Sequence, residues 1–141
     1  MASFVKYDRF VENLAEKVHN LASDTLKIAL TNTAPNVDTH TVLADITEIS
    51  AGNGYTAGGT AVTITGSSEA GGSYTLTQSA DVVFTASGGT MATFRYASFY
   101  NDTPTSPADP LIGYWDYGAA VSLLTGETFT VDMGATILTI S

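Results

Sequence analysis

Residues 90–118 hold the densest set of aromatic residues in the chain, and they constrain its fold more than any other stretch. They include the single Trp, four of the seven Tyr and three of the four Pro. Two aromatic segments, residues 90–100 and 111–117, flank a polar loop that contains all three of these prolines. Because aromatic side chains suit the pleated, half-buried surface of a sheet, residues 90–118 are predicted to form a long β-hairpin.

A strand register for this aromatic hairpin follows from placing Tyr100 opposite Leu111. Arg95 then lies opposite Asp116, and such cross-strand pairs of opposite charge stabilise a sheet. The other predicted pairs are Phe99–Ile112, Ser98–Gly113, Ala97–Tyr114 and Tyr96–Trp115. Both faces of the hairpin carry apolar side chains, so we expect it to be covered on both sides.

Short β-branched and aromatic segments make up most of residues 25–141. They are separated by Gly-rich and polar turn residues, with a turn roughly every 8–12 residues, as in a sandwich or barrel. Together with the aromatic hairpin they predict an all-β, mainly antiparallel body of about eight or nine strands. Strands do not alternate with long helices, which excludes a doubly wound parallel sheet. The chain of 141 residues has the size of a single domain.

Two segments of this body have more detailed expectations. Residues 25–32 alternate Leu26, Ile28 and Leu30 with more polar residues, which predicts a strand with one wet or partner-facing side. Residues 50–60 contain four Gly but no Lys of a phosphate-binding loop. They are expected to form a flexible surface loop with positive-φ turns.

Residues 3–20 are predicted to form one amphipathic helix before the β body. Apolar side chains recur at alternating three- and four-residue spacing, and most charged side chains lie on the opposite face. The apolar stripe consists of Phe4, Tyr7, Val11, Leu14, Val18 and Leu21. Two positions for this stripe remain open: it covers the domain's own sheet, or it docks on a neighbouring subunit.

The composition excludes several classes of function. With 5 Lys and Arg against 14 Asp and Glu, the net charge is −9, so the chain lacks the cations that nucleic acids or anionic membranes require. There is no Cys, which excludes disulfides and thiolate metal sites. No signal peptide or membrane span is expected from the apolar runs, which are too short.

Residues with catalytic or metal-binding potential are present, but they are not arranged in a recognisable motif. His19 and His40 lack the paired spacing of a zinc site, and no nucleophile elbow occurs. A carboxylate pair drawn from Asp102, Asp109, Asp116 and Asp132 resembles ordinary loop and strand-end acids more than a glycosidase pair. Asn101, Asp102 and Asp109 only loosely match the spacing of a calcium loop. We therefore expect no enzyme, no metal and no cofactor.

The aromatic residues are better candidates for function. Tyr100, Tyr114, Trp115 and Tyr117 are either core residues, a platform for stacking sugars, or a protein interface, where Tyr and Trp are enriched. The proline-rich loop between the two strands is stiff enough to protrude without a large entropy loss on binding. The predicted interface residues are Phe4, Tyr7, Val11, Tyr100, Pro104, Pro107, Tyr114, Trp115 and Tyr117.

The amino-acid sequences of three segments resemble a known class of proteins. The segments are FTASGGTMATFRYASFYNDTPTSPADPLIGYWDYG, the preceding EISAGNGYTAGG and the following VSLLTGETFTVDM. They are similar to small virion proteins of tailed bacteriophages and prophages, of the capsid cement or decoration type. The resemblance covers most of the chain, from the amphipathic helix to the last strands, and it includes no catalytic motif.

This resemblance implies a jelly-roll-like β-sandwich that stabilises the head shell by bridging capsid subunits. The implied partners are the major capsid protein and other copies of the chain itself, as a dimer or trimer. The implied location is the capsid surface of the virion, after synthesis in the host cytoplasm.

Two alternatives to a cement protein remain open. One is a tail- or fibre-associated virion protein that binds carbohydrate through the aromatic surface. The other is a small hydrolase or metal-dependent enzyme, which would need a deep pocket lined by converging carboxylates or by His40.

Overall fold

The computed structural model describes residues 2–141, which contain ten β-strands and one short α-helix, α1 (Arg9–Ala15). These residues also include one 3-10 turn, Leu43–Asp45. The strands are β1 (Phe4–Lys6), β2 (Leu26–Thr31), β3 (Thr60–Ala61), β4 (Ile64–Ala70), β5 (Ser73–Gln78), β6 (Val82–Thr85), β7 (Phe94–Asn101), β8 (Leu111–Val121), β9 (Thr128–Val131) and β10 (Thr136–Ile140).

The strands form three antiparallel sheets. A five-stranded sheet has the order β1-β8-β7-β2-β3, a three-stranded sheet the order β10-β5-β4, and β6 pairs with β9. One hydrophobic core joins all three sheets, because Phe99 of β7, Leu76 of β5 and Phe84 of β6 belong to the same buried cluster. The predicted fold class, an all-β sandwich with one N-terminal helix, is confirmed.

The aromatic hairpin is confirmed as β7 and β8, but its predicted register is wrong beyond the first pair. Tyr100 does pair with Leu111. Phe99 then pairs with Gly113 instead of Ile112, and the pairs that follow as far as Tyr96 are shifted by the same one residue. The cause is a β-bulge, in which one extra residue on β8 opposes a single step of β7.

The predicted contact between Arg95 and Asp116 nevertheless forms. Tyr96 is the residue opposite Asp116 in the ladder, and Arg95 reaches the carboxylate diagonally. Its Nε and Nη2 atoms donate to the two carboxylate oxygens at 2.8 and 3.0 Å. The long side chain therefore compensates for the one-residue shift.

The chain itself covers both faces of the five-stranded sheet. The face opposite the main core carries a second buried cluster of Tyr7, Ala29, Ile46, Tyr100 and Leu111. The prediction that β2 has a wet or partner-facing side is therefore wrong, since Ala29 and its neighbour Thr31 are fully buried.

The predicted helix over residues 3–20 is also wrong in extent. Phe4–Lys6 form strand β1, which pairs with β8, and the helix proper spans only Arg9–Ala15. It is followed by Lys17 in a left-handed conformation with φ 68°, which ends the helical path. The apolar stripe is divided among β1, α1 and the residues that follow α1, so Leu21 is buried while Val11 is 54% exposed.

The Gly-rich loop of residues 50–60 has the expected positive-φ turns, but it packs closely on the sheet. A side chain on Gly59 would lie 1.8 Å from the carbonyl oxygen of Ile28. The hydroxyl of Tyr100 donates to the carbonyl of Gly58 at 2.7 Å. Glycine is therefore required here because the two backbones approach closely. The loop packs against the sheet and is not the flexible surface loop that was predicted.

Candidate interaction surface

Three of the predicted interface residues lie inside the protein. Tyr7, Tyr100 and Trp115 are 0%, 1% and 5% exposed. Trp115 packs against the rings of Phe4 and Phe99, with centroids 5.0 and 5.9 Å away. Because burial of such large side chains stabilises the sheet, these three residues are core residues and do not form the contact surface that was predicted for them.

The hydroxyl groups of the two buried tyrosines have partners in the fold. The Tyr7 hydroxyl lies 3.5 Å from Ser98 Oγ, and burial raises its pKa to about 12. Burial also raises the pKa of Tyr100, whose hydroxyl bonds to the Gly-rich loop. Tyr114 is half-buried, with its ring 5.6 Å from that of Tyr7. These tyrosines join the N-terminal segment and the Gly-rich loop to the sheet.

The other predicted interface residues are spread over several elements. Phe4 and Pro104 are half-buried, and Pro107 lies exposed in the loop between β7 and β8. Val11 is exposed on α1, and Tyr117 is 58% exposed on β8. Their part in an interface stays a prediction, and only Tyr117 belongs to a longer exposed apolar segment.

That segment is residues 117–124, which we call the exposed β8 segment; within it Val121 is half-buried and Leu123 is buried in the core. In the ladder with β7, Asp116 pairs with Tyr96, and the next pair joins Val121 to Phe94. On its other side β8 pairs with β1 only through residues 113–115. Residues 117–120 therefore have no partner strand on either side, and all four are exposed.

The local sequence explains why the chain leaves the sheet at this point. Gly118 has φ +94°, and its N–H donates to Asp116 Oδ1 at 2.8 Å. The segment ends at Leu124, which is 59% exposed and precedes a turn with Gly126 at φ +90°. Gly118 thus permits the positive-φ turn that takes residues 117–120 out of the ladder, and Gly126 permits the turn that follows Leu124.

The exposed β8 segment includes residues that sequence reasoning missed. Leu124 was not predicted to lie at the surface, although a large apolar residue beside a glycine turn is a usable signal. Val83, 50% exposed on β6, was also missed. It stands between buried Val82 and Phe84, so strict period-two alternation would have identified it.

A cleft of about 410 Å³ lies beside Tyr117. Its lining residues come from β7, β8, β9 and the N-terminal segment: Ala2, Arg95, Ala97, Trp115, Asp116, Tyr117, Phe129, Thr130, Val131 and Asp132. The hydrogen bonds from Arg95 lower the pKa of the Asp116 carboxyl. The rings of Tyr117 and Phe129 meet nearly edge to face at 5.2 Å. The cleft combines an ion pair with three aromatic residues, Trp115, Tyr117 and Phe129.

A second cleft, of about 530 Å³, lies between the residues that follow α1, the three-stranded sheet and the proline-rich loop. His19 lines it and is 6% exposed. Asn101 donates to Asp24 Oδ2 at 2.6 Å and has its Nδ2 3.2 Å from His19 Nδ1. Burial lowers the pKa of His19 to about 4, against the opposing effect of Asp24. His19 is therefore neutral at physiological pH.

Of the acids considered for catalysis or metal binding, two form ion pairs, and Asp116 and Asp132 line the same cleft. Asp102 pairs with Lys27 at 2.9 Å, and Asp116 pairs with Arg95 at 2.8 Å. Burial raises the pKa of Asp109, with a smaller effect from Asp102. Residues 2–141 include no group of three or more His, Cys, Asp or Glu side chains placed to hold a metal ion.

Most of the negative charge has no basic partner. Within residues 2–141, three acids pair with Lys or Arg, which leaves eleven of the 14 without such a pair. Lys6 and Lys17 are the cations that form no such pair within the same residues. No helix in this part of the chain is long and apolar enough to cross a membrane.

Comparison of the chain with protein-family models, with curated proteins and with solved structures gave no match.

Proposed function

We propose that this chain is a structural component of a tailed-phage virion, a capsid cement protein that binds the outside of the head shell and bridges neighbouring capsid subunits. The observation that carries the proposal is that residues 117–120 of the exposed β8 segment are exposed and have no partner strand. Proteins normally cover or charge such an edge, because it templates pairing with another chain. A fixed place in an assembly would give that edge a partner.

The proposed contact combines backbone and side-chain interactions. Residues 117–120 offer backbone N–H and C=O groups to an added strand, the mode of recognition called β-augmentation. Tyr117 and Leu124, both more than half exposed, supply apolar area that the partner would bury. Burial of apolar surface contributes roughly 25 cal/mol per Å², so even a small segment adds useful affinity.

The charge of the chain favours a basic partner surface. Eleven acidic side chains without a Lys or Arg partner create a negative field around the molecule. Complementary charge speeds the encounter with a basic surface and selects against acidic partners. In this proposal the major capsid protein provides that surface at the seams between its subunits, and neighbouring copies of the chain provide further contacts.

Stabilisation of the shell then follows from mass action. A protein that binds only the assembled seam shifts the equilibrium toward the assembled state. Many copies of a modest interface act together on one shell, so no single contact has to be strong. No bond is made or broken by the chain in this mechanism.

The proposal is tested by mixing the purified chain with undecorated heads of the phage that encodes it and measuring co-sedimentation. We expect saturable binding with a fixed number of copies per head. Leu124→Glu should weaken binding at least about tenfold, because it places a charge in the buried part of the contact.

The matched control is Val83→Glu, which makes the same change of charge at a similarly exposed apolar residue on β6. It should bind within about twofold of the wild type, since rim or distant residues contribute little. Circular dichroism checks that both variants fold. Absence of saturable binding by the wild type would refute the proposed function, and equal losses in both variants would refute the proposed surface.

A further inference from the structure

The cleft beside Tyr117 has the composition of a small-molecule site. Its volume of about 410 Å³ falls within the range of ligand pockets, and its lining combines aromatic rings with a few charged groups. We propose that this cleft binds one neutral sugar ring, by stacking on Tyr117 and hydrogen bonding to Asp116 and Arg95. The proposal does not depend on the cement function, because it concerns free ligand and the isolated chain.

The aromatic part of the cleft is exposed but held in place. The ring of Tyr117 meets Phe129 at 5.2 Å, and Phe129 in turn meets Phe94 at 4.9 Å, both nearly edge to face. Phe94 is fully buried, so this chain of rings connects the surface to the core. A ring that is held by packing loses little freedom when a ligand stacks on it. The C–H face of a sugar ring suits the negative face of an aromatic ring.

The polar part of the cleft offers acceptors and donors side by side. Asp116 receives two N–H groups of Arg95 and the N–H of Gly118, which fixes its carboxylate. A carboxylate has about four lone-pair sites and a guanidinium five N–H donors, so each group keeps hydrogen-bonding capacity beyond this pair. Adjacent hydroxyl groups need that combination, because one can donate to Asp116 while its neighbour accepts from Arg95.

Charge selects a neutral polyol over an ionic ligand. Asp116 and Asp132 both line the cleft, and the net charge of −9 repels anions further. A cation would meet the guanidinium of Arg95 at the same place. A neutral sugar uses both signs of charge through hydrogen bonds and pays no such repulsion.

The chain contains its own probe for binding at this cleft. Trp115 is the single Trp and lines the cleft, so its fluorescence reports on this site. We would titrate the isolated chain with the methyl glycosides of glucose, galactose and N-acetylglucosamine. At least one should give a saturable change at millimolar concentration, typical of a single sugar ring on one small site.

Variants then separate stacking from general effects. Tyr117→Ala should weaken the binding of that sugar at least about tenfold, since it removes the stacking ring. Leu124→Ala is the matched control, because Leu124 is as exposed as Tyr117 but does not line the cleft, and it should leave the affinity unchanged.

Three results would overturn the proposal. The first is the absence of a saturable change with all three glycosides up to about 100 mM, a concentration that detects even very weak binding. The second is an affinity that Tyr117→Ala leaves unchanged. The third is saturation by acetate or tetramethylammonium in place of the sugars. None of these assays contains heads, so failure here is distinct from failure of the cement proposal.

Discussion

At the scale of single residues, the surroundings of His19 constrain its protonation, and the surroundings of Gly59 leave no room for a side chain. His19 is buried against Phe10, with ring centroids 5.2 Å apart, and Asn101 holds its Nδ1. Its Nε2 atom is buried with no hydrogen-bond partner within residues 2–141. Protonation would add a charge to a buried ring whose Nε2 atom has no acceptor to stabilise it.

The stability of the chain should therefore depend on pH through His19. Its folded-state pKa of about 4 lies below the ordinary value of 6.5, so the unfolded chain takes up the proton first as the pH falls. The contribution of His19 to the free energy of unfolding is then fully present above about pH 6.5. It decreases by up to about 3 kcal/mol as the pH falls toward 4. Urea denaturation at a series of pH values measures this change.

His19→Gln should flatten the pH dependence between about pH 6.5 and 5, where few carboxylates titrate. His40→Gln is the matched control, because it removes the other histidine and leaves His19 in place. If the free energy of unfolding of His19→Gln changed with pH as steeply as that of the wild type, His19 would not be the source of the pH dependence.

A substitution at Gly59 tests whether the Gly-rich loop packs on β2. With φ +74° and the Ile28 carbonyl in the way, Gly59→Ala should cost more than about 3 kcal/mol of stability. Gly71→Ala is the control, because it has φ +62° but no atom within 4 Å of the added carbon. It should cost only about 1–2 kcal/mol, the penalty for a left-handed alanine. Equal losses by chemical denaturation would show that the loop does not pack on β2.

At the scale of elements, the aromatic hairpin shows what sequence reasoning can and cannot determine. Its strands and turn followed from aromatic and proline content, because these act locally. Its register did not, since one bulge shifts the next pairs by one residue and a second irregularity follows between Tyr96 and Phe94. The N-terminal stripe was misassigned for a related reason. Phe4 fits a helical spacing, but pairing with β8 decides its conformation.

Phe4→Ala tests that β1 is a strand against β8. The ring of Phe4 covers Trp115, so its removal should cost about 1–2 kcal/mol and shift the Trp115 emission to longer wavelength. Val5→Ala, on the opposite face of the same strand and 37% exposed, should change stability by less than about 0.5 kcal/mol. Unchanged emission in Phe4→Ala would contradict the contact.

At the scale of the whole molecule, one core unites the sheets while the surface stays acidic. The all-β class was predictable, because it follows from the summed pattern of many strands. The candidate surface was predictable only in part. Aromatic residues indicate either a core or an interface, and only the tertiary structure buries Trp115 while exposing Tyr117. Leu124 was missed because exposure beyond the end of a ladder has no periodic signature.

The acidic surface predicts a dependence of head binding on salt. Eleven acids without a basic partner should attract a basic seam, and added salt screens that attraction. We expect affinity for heads to decrease between about 50 and 500 mM NaCl, mainly through a slower association rate. Stopped-flow mixing measures that rate. An association rate that is independent of salt would indicate that charge plays no part in the encounter.

The most direct test of the central claim, that the chain acts by binding across capsid seams, is the melting temperature of undecorated heads measured by calorimetry with and without the chain. The account predicts that the melting temperature rises as the chain is added and levels off when the seams are saturated. It also predicts that Leu124→Glu shifts this rise to higher concentrations while Val83→Glu does not. A melting temperature that stays constant at saturating concentrations of the wild-type chain would contradict the account.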